Sequence, residues 1–169
     1  VTQDGGDNWR DITPRDLKGA QVNAIEVSPH DTTTVYIAVA GYKMNDFRPH
    51  IYKVSGYGRK WEKIDDGLPD NTFVRVVRED PSQAGLLYAG TEAGMFVSFN
   101  DGDDWQSLEL NLPPVPITDL AIRQGSLVAA TQGRGFWIID DLSVIRQLDE
   151  DLSDKPLHVY TPKPTELAR

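Results

Sequence analysis

Apolar positions in this chain fall in short runs. Val22 to Val27, Val35 to Ala40, Ile51 to Val54, Phe73 to Arg78 and Leu86 to Thr91 are such runs. Gly94 to Ser98, Ile117 to Ile122, Leu127 to Thr131 and Phe136 to Ile139 continue the series. Each holds about four to seven residues rich in Val, Ile, Tyr and Phe, which is the signature of a strand. Ser28-Pro29, Asp66-Gly67-Leu68-Pro69 and Asp80-Pro81-Ser82 punctuate them with turn formers. No stretch before residue 142 sustains helical spacing. One helix is expected near 143–149, in a detour over 141–154, with Ser143 as N-cap and Val144 and Leu148 four apart. The pattern predicts an all-β chain with one short helix.

The chain also repeats. Thr2-Gln-Asp4-Gly-Gly6-Asp-Asn8-Trp9 and Ser98-Phe-Asn100-Asp-Gly102-Asp-Asp104-Trp105 share one form: hydroxyl, x, Asp or Asn, x, Gly, x, polar, Trp. Val54-Ser-Gly56-Tyr-Gly58-Arg-Lys60-Trp61 keeps the Gly and the Trp and has lost the acid. The tryptophans stand 52 and 44 residues apart. A period of about 40–50 residues belongs to propeller blades or helical solenoids, and the strand-like runs select the blade. The repeat therefore predicts a β-propeller of four-stranded antiparallel blades, about three of them present. Residues 1–21 are expected to hold the last strand of a preceding blade, around Trp9 to Ile12, and a linker. Blades are expected over 22–65, 66–109 and 110–161, the last closed by a fourth strand at Leu157 to Thr161, with 162–169 as tail or linker. Three blades do not close a ring, because propellers have about four to eight. The expected partners are accordingly the remaining blades of a larger propeller.

Within the repeated box the Asp carboxylate can accept backbone N–H bonds across a C–D turn. The Gly supplies a positive φ and the Trp a large apolar face. The structural set is Thr2, Asp4, Gly6, Trp9, Gly58, Trp61, Ser98, Asn100, Gly102 and Trp105. These elements resemble the Asp-box, or bacterial neuraminidase repeat, of sialidases, xyloglucanase-type glycosidases, photosystem assembly propellers and sortilin-type receptors. Val128 through Trp137 to Leu148 is similar to the terminal blade of large bacterial sortilin-like or glycosyl-hydrolase-like proteins, and Leu86 to Ser98 resembles their preceding blade. The resemblance implies a propeller fold, an exported protein (extracellular or periplasmic), and either a non-catalytic scaffold for protein or carbohydrate binding or a portion of a glycoside hydrolase. Fold alone does not choose between them.

Composition narrows the chemistry. The chain has 169 residues, no Cys and a formal charge of −9. Thiol catalysis, disulfides and Cys-zinc sites are excluded, and an acidic balance argues against a nucleic-acid partner. No apolar run approaches the roughly 20 residues of a membrane span. No cofactor or metal is expected: glycine-rich phosphate motifs are absent, His30, His50 and His158 are scattered, and the acidic boxes lack a calcium-loop frame.

If the boxes are C–D turns, the opposite face carries the B–C loops (41–50, 92–94, 132–134) and the D–A loops (13–20, 65–71, 109–116). Ligands bind where such loops converge. The carboxylates there are Glu92, Asp46, Asp70 and Glu109, the first three being the catalytic candidates. A glycosidase needs two, about 5–5.5 Å apart for retention or 6.5–9.5 Å for inversion. No motif frames the arginines as a sialidase triad. The ligand-binding candidates are Arg134, flanked by Gly133 and Gly135, and Arg48, Tyr42 and Glu92. For Arg134 the alternative is a structural role on blade carbonyls or on Asp140 and Asp141.

Overall fold

The computed structural model describes residues 1–148 and 157–162. Eleven strands form three antiparallel sheets, each in simple sequence order. The first holds β1 (Gln21–Val27), β2 (Val35–Ala40), β3 (Ile51–Ser55) and β4 (Lys60–Lys63). The second holds β5 (Val74–Glu79), β6 (Leu87–Thr91), β7 (Met95–Ser98) and β8 (Gln106–Ser107). The third holds β9 (Ile117–Arg123), β10 (Ser126–Thr131) and β11 (Phe136–Ile139). No helix among the described residues is long and apolar enough to cross a membrane.

Register shows that the sheets are copies. Val22 pairs with Val39 as Val74 pairs with Thr91 and Ile117 with Thr131. Ile25 pairs with Ile37 as Val77 with Ala89 and Leu120 with Ala129. The inner strands β1, β5 and β9 lie side by side, and the sheets stack outward from them. Tyr36, Ala38 and Ile51 of the first sheet pack on Val74, Val77 and Phe96 of the second, with the linker residues Ile64 and Leu68 between. Val76, Tyr88 and Met95 pack in turn on Ile117, Leu120 and Leu127, with Leu108 and Leu112 between. Ile12 and Leu17 cover Ile37 and Val39 in the same manner.

The box corners lock these interfaces. Ser98 Oγ accepts the Gly102 N–H at 2.9 Å, and Asn100 Oδ1 accepts the Asp104 N–H at 3.0 Å. Thr2 and Asp4 do the same for Gly6 (2.9 Å) and Asn8 (3.0 Å). These bonds hold the Asp4 carboxyl down to about 2, the Asn8 backbone first among them. Gly102 has φ 93°, and a Cβ there would lie 2.6 Å from Ile64 Cδ1. Gly58 meets Ile12 in the same way, at 2.5 Å. The Gly58 and Gly102 corners thus each seat the glycine on the isoleucine three residues after the preceding Trp. Trp105 is 3% exposed, and its Nε1–H donates to the Ile64 carbonyl at 2.8 Å. Asp101 accepts from Tyr36 Oη (2.7 Å) and Lys53 of the first sheet.

Several expectations need correction. Trp9 is 74% exposed and pins nothing, since among the described residues no sheet lies beside it. Trp9 to Ile12 forms no strand; the backbones of Val1 and Arg10 instead bond to each other and close the first corner. Trp61 packs edge-on against Tyr52, ring centres 5.8 Å apart. Leu157 to Thr161 forms no strand, so the third sheet has three. Among the described residues no box follows β11. Leu142, fully buried, and Ile145 plug the sheet–sheet interface instead. Ser143 is no helix cap: its N–H is turned to Asp141 Oδ1, and only a single 3-10 turn, Ile145–Gln147, follows. The rest of the expected helical detour lies outside the described residues. Gln147 grips Thr161 through both backbone groups, at 2.7 and 3.0 Å. Arg146 reaches back to the fully buried Asp80 at about 3 Å.

Two predictions follow from the corner geometry. Trp105→Ala should cost ~3–5 kcal/mol in a denaturant melt, the usual cost of truncating a buried aromatic. Trp9→Ala should stay within about 0.5 kcal/mol of wild type, as surface changes do. Equal costs at the two sites would contradict this packing. Arg146→Ala should also destabilise by ~3–5 kcal/mol, because it leaves a buried carboxylate unpaired. A loss below about 1 kcal/mol, the surface-pair scale, would contradict the Arg146–Asp80 contact.

Candidate functional site

Each inner strand carries a β-bulge near its start. The ladder slips between Val22 and Ala24, between Val74 and Val76, and again opposite the Ala130–Thr131 step. The extra residue is Asn23 in β1, Arg75 in β5 and Thr118 in β9. A bulge re-aims the side chain it adds. All three line one cleft of about 360 Å³, together with Gln21, Tyr42 and Phe73. Tyr42 belongs to a B–C loop and Phe73 to the end of a D–A loop, so this is the end of the sheets expected to receive a ligand.

The cleft is pre-organised. Tyr42 and Phe73 stack with centroids 5.2 Å apart and planes 25° apart. The Arg75 guanidinium lies 5.4 Å from the Phe73 ring centre and pairs with Glu92. Asn23 donates from Nδ2 to the Val74 carbonyl at 2.9 Å and accepts from Gln21 Nε2 at 3.1 Å. Thr118 donates to the Ala130 carbonyl at 3.1 Å. Rotamers are thereby held in place, while Gln21, Tyr42 and Thr118 remain exposed to solvent.

Of the residues singled out by sequence, the structure brings two here. Tyr42 lines the cleft, and Glu92 adjoins it through Arg75. Arg48 does not line it. It clasps Asp46, Nε to Oδ1 at 2.9 Å and Nη2 to Oδ2 at 2.8 Å, and His50 reaches the same carboxylate at 3.1 Å. The Arg48 hydrogen bonds hold Asp46 far below the usual carboxylate range. Asp70 is exposed and adds, with Asp65, to the field at Arg48. Arg134 is exposed; its N–H donates to Thr131 Oγ1 at 3.2 Å, and its carbonyl accepts from Trp137 Nε1 at 3.2 Å. Its guanidinium meets no partner among the described residues. No carboxylate lines the cleft itself.

Sequence reasoning missed Asn23, Phe73, Arg75 and Thr118. A signal was present. In Val74-Arg75-Val76-Val77 two adjacent valines break the alternation, and Val22-Asn23-Ala24-Ile25 breaks it likewise. A slipped phase inside a strand is the mark of a bulge.

A second cavity, about 450 Å³, opens at the other end of the inner strands. There Arg78 joins all three sheets. Its Nη2 lies 2.8 Å from Asp119, its Nη1 3.5 Å from Glu26, and its Nε donates to the Leu120 carbonyl at 2.9 Å. Burial raises the Glu26 carboxyl above its usual value, against the pull of Arg78 and of the Glu79 N–H. A carboxyl raised on folding adds stability below its unfolded pKa and loses that contribution as pH rises through its folded pKa. The stability of Glu26→Gln relative to wild type should therefore increase as pH climbs from about 4 toward neutrality, near and above the free carboxyl value. Chemical melts at several pH values check this; a relative stability that falls over that range would contradict it.

No protein-family model matches the chain, and no curated protein matches it in sequence. Solved structures do match in shape. An ancestral GH74 enzyme is 22% identical with a TM-score of 0.55, over 69% of this chain and 14% of its own. The GH74 xyloglucanase from Xanthomonas campestris is 17% identical with a TM-score of 0.56, over 77% of this chain and 22% of its own. YCF48 bound to D1 peptide is 18% identical with a TM-score of 0.55, over 80% and 42%. The chain thus spans between 14% and 42% of the length of these β-propeller proteins. Likeness at such identities establishes architecture: the fold is that of a partial β-propeller, with two four-stranded sheets and one of three strands.

Proposed function

We propose that this chain is a non-catalytic binding scaffold, part of a larger Asp-box propeller exported by a bacterium, whose remaining blades come from further repeats. Its ligand, a carbohydrate or a protein segment, enters the cleft ringed by Asn23, Arg75 and Thr118. One observation carries this reading. The bulge recurs in all three inner strands and aims an anchored polar side chain into one cleft that holds no carboxylate. The catalytic candidates Glu92 and Asp46 are each committed to a cation. A general acid needs a carboxyl whose proton is retained, and Asp46 is driven the opposite way. YCF48, seen with a peptide, supports a binding role for such a scaffold.

The second reading is a portion of a glycoside hydrolase. It is favoured by the two GH74 structures among the matches. In that case the chain supplies a wall of the substrate cleft, and the paired acids stand elsewhere in the protein.

The test is calorimetric titration of the protein with a panel of oligosaccharides and peptides. Arg75→Ala should weaken binding by roughly tenfold or more, the scale of one charge-assisted hydrogen bond, in a variant whose circular dichroism shows it folded. Arg134→Ala should not weaken it. Turnover of aryl glycosides or polysaccharides that is abolished by Glu92→Gln would overturn the scaffold reading.

A further inference from the structure

The cleft between the three bulges also carries information about the charge of what enters it. Among the described residues Arg75 is the one charged side chain that lines it. Glu92 cancels that charge: Arg75 Nε and Nη2 both meet the single oxygen Glu92 Oε1. The two side chains are 31% and 28% exposed, so water screens the pair only in part. Arg75 Nη1 makes no hydrogen bond among the described residues. Arg75 therefore offers N–H donors without a net positive charge. A carboxylate brought to Nη1 meets the Glu92 charge beside it, in a chain of net charge −9. Like charges set together oppose binding. A neutral carbonyl oxygen accepts the same N–H bond without that opposition.

The cleft also keeps acceptors. Gln21 spends Nε2 on Asn23 Oδ1, at 3.1 Å, and leaves its own Oε1. Thr118 gives its proton to the Ala130 carbonyl, at 3.1 Å, and keeps its oxygen lone pairs. A matching ligand is uncharged and carries both a carbonyl acceptor and polar hydrogens. The aromatic pair then separates peptide from sugar. A sugar ring docks by laying a C–H face on an open aromatic face. Phe73 already carries the Tyr42 ring at 5.2 Å and the Arg75 guanidinium at 5.4 Å. Tyr42 carries Phe73 and, at 5.8 Å, Lys43 Nζ. Protein neighbours thus occupy both rings. A peptide group needs no ring face, since its C=O and N–H lie fixed in one plane.

We propose that Glu92 is a specificity-determining residue of this cleft. By neutralising Arg75 it selects the uncharged amide groups of a peptide segment and turns carboxylates away. The inference deepens the scaffold reading and rests on its choice of cleft.

NMR titration of the whole 169-residue protein tests it, following Arg75 Nε–H and the side-chain amides of Gln21 and Asn23. Three probes are used: acetyl-triglycine amide, the same peptide ending in a free carboxylate, and cellotriose. The wild type should bind the amide-capped peptide roughly tenfold or more tightly than the carboxylate. Glu92→Gln keeps the shape of the side chain, and circular dichroism checks its fold. It should abolish or reverse the preference, because Arg75 then stands uncancelled. Equal affinities in the wild type would overturn the proposal with no variant needed. So would a preference that Glu92→Gln leaves unchanged. Cellotriose moving these resonances where the peptides do not would overturn the peptide class and leave the scaffold reading standing. Resonances that no probe moves would remove the cleft as a ligand site, and both readings with it.

Discussion

The fold depends on how one sheet is held against the next. At the best-formed junction the Trp105 indole lies over the linker of the preceding sheet and bonds the Ile64 carbonyl, while Gly102 admits the Ile64 side chain where no Cβ could fit. The Trp105 N–H also donates to the Asp66 carbonyl, at 3.0 Å. An apolar contact, a steric allowance and two directed hydrogen bonds therefore act on one short linker. Burial supplies the driving force, and the hydrogen bonds fix the register. The corner thus acts on the linker 64–72 together with the packing of Ile64 and Leu68 into the interface.

Phase matters because the cleft is built by the inner strands together. A bulge in a single strand would turn one side chain. Three bulges in three stacked sheets turn Asn23, Arg75 and Thr118 toward the same space. At the other end the same strands are clasped by Arg78 between Glu26 and Asp119. The two ends differ in character. One is a polar cleft with a stacked aromatic pair, and the other an ionic clasp whose guanidinium is committed on several sides. That contrast is what supports the proposal of a ligand at the first.

Much of the architecture could be read from the sequence, because strands, turns and the Trp box are local patterns with fixed spacing. Val74 to Glu79 and Leu87 to Thr91 declare themselves by composition. At Leu157 to Thr161, where a fourth strand was expected, there is none, and after β11 Leu142 and Ile145 fill the sheet–sheet interface instead. Burial of Trp9 was also unpredictable from its motif: the Trp9 and Trp105 boxes share their hydrogen bonds, and only Trp105 has a sheet to cover. The cleft was half legible. Tyr42 and Glu92 stood out as loop residues, whereas Arg75 sits inside a strand and is aimed by a ladder slip. Arg48 looked like a ligand anchor, yet Asp46, two residues away, already satisfies it.

The coupling of successive sheets through the corner is most directly tested by native-state hydrogen exchange under increasing denaturant. If the corner is integral to the stack, the Gly102 and Trp105 amides should exchange only through global unfolding, with the same denaturant dependence as the Val77 and Val97 amides of the core strands. The Asn8 amide, in the same hydrogen-bonded box but without a covering sheet, should exchange by local opening. Exchange of Trp105 at the Asn8 level, insensitive to denaturant, would contradict the account.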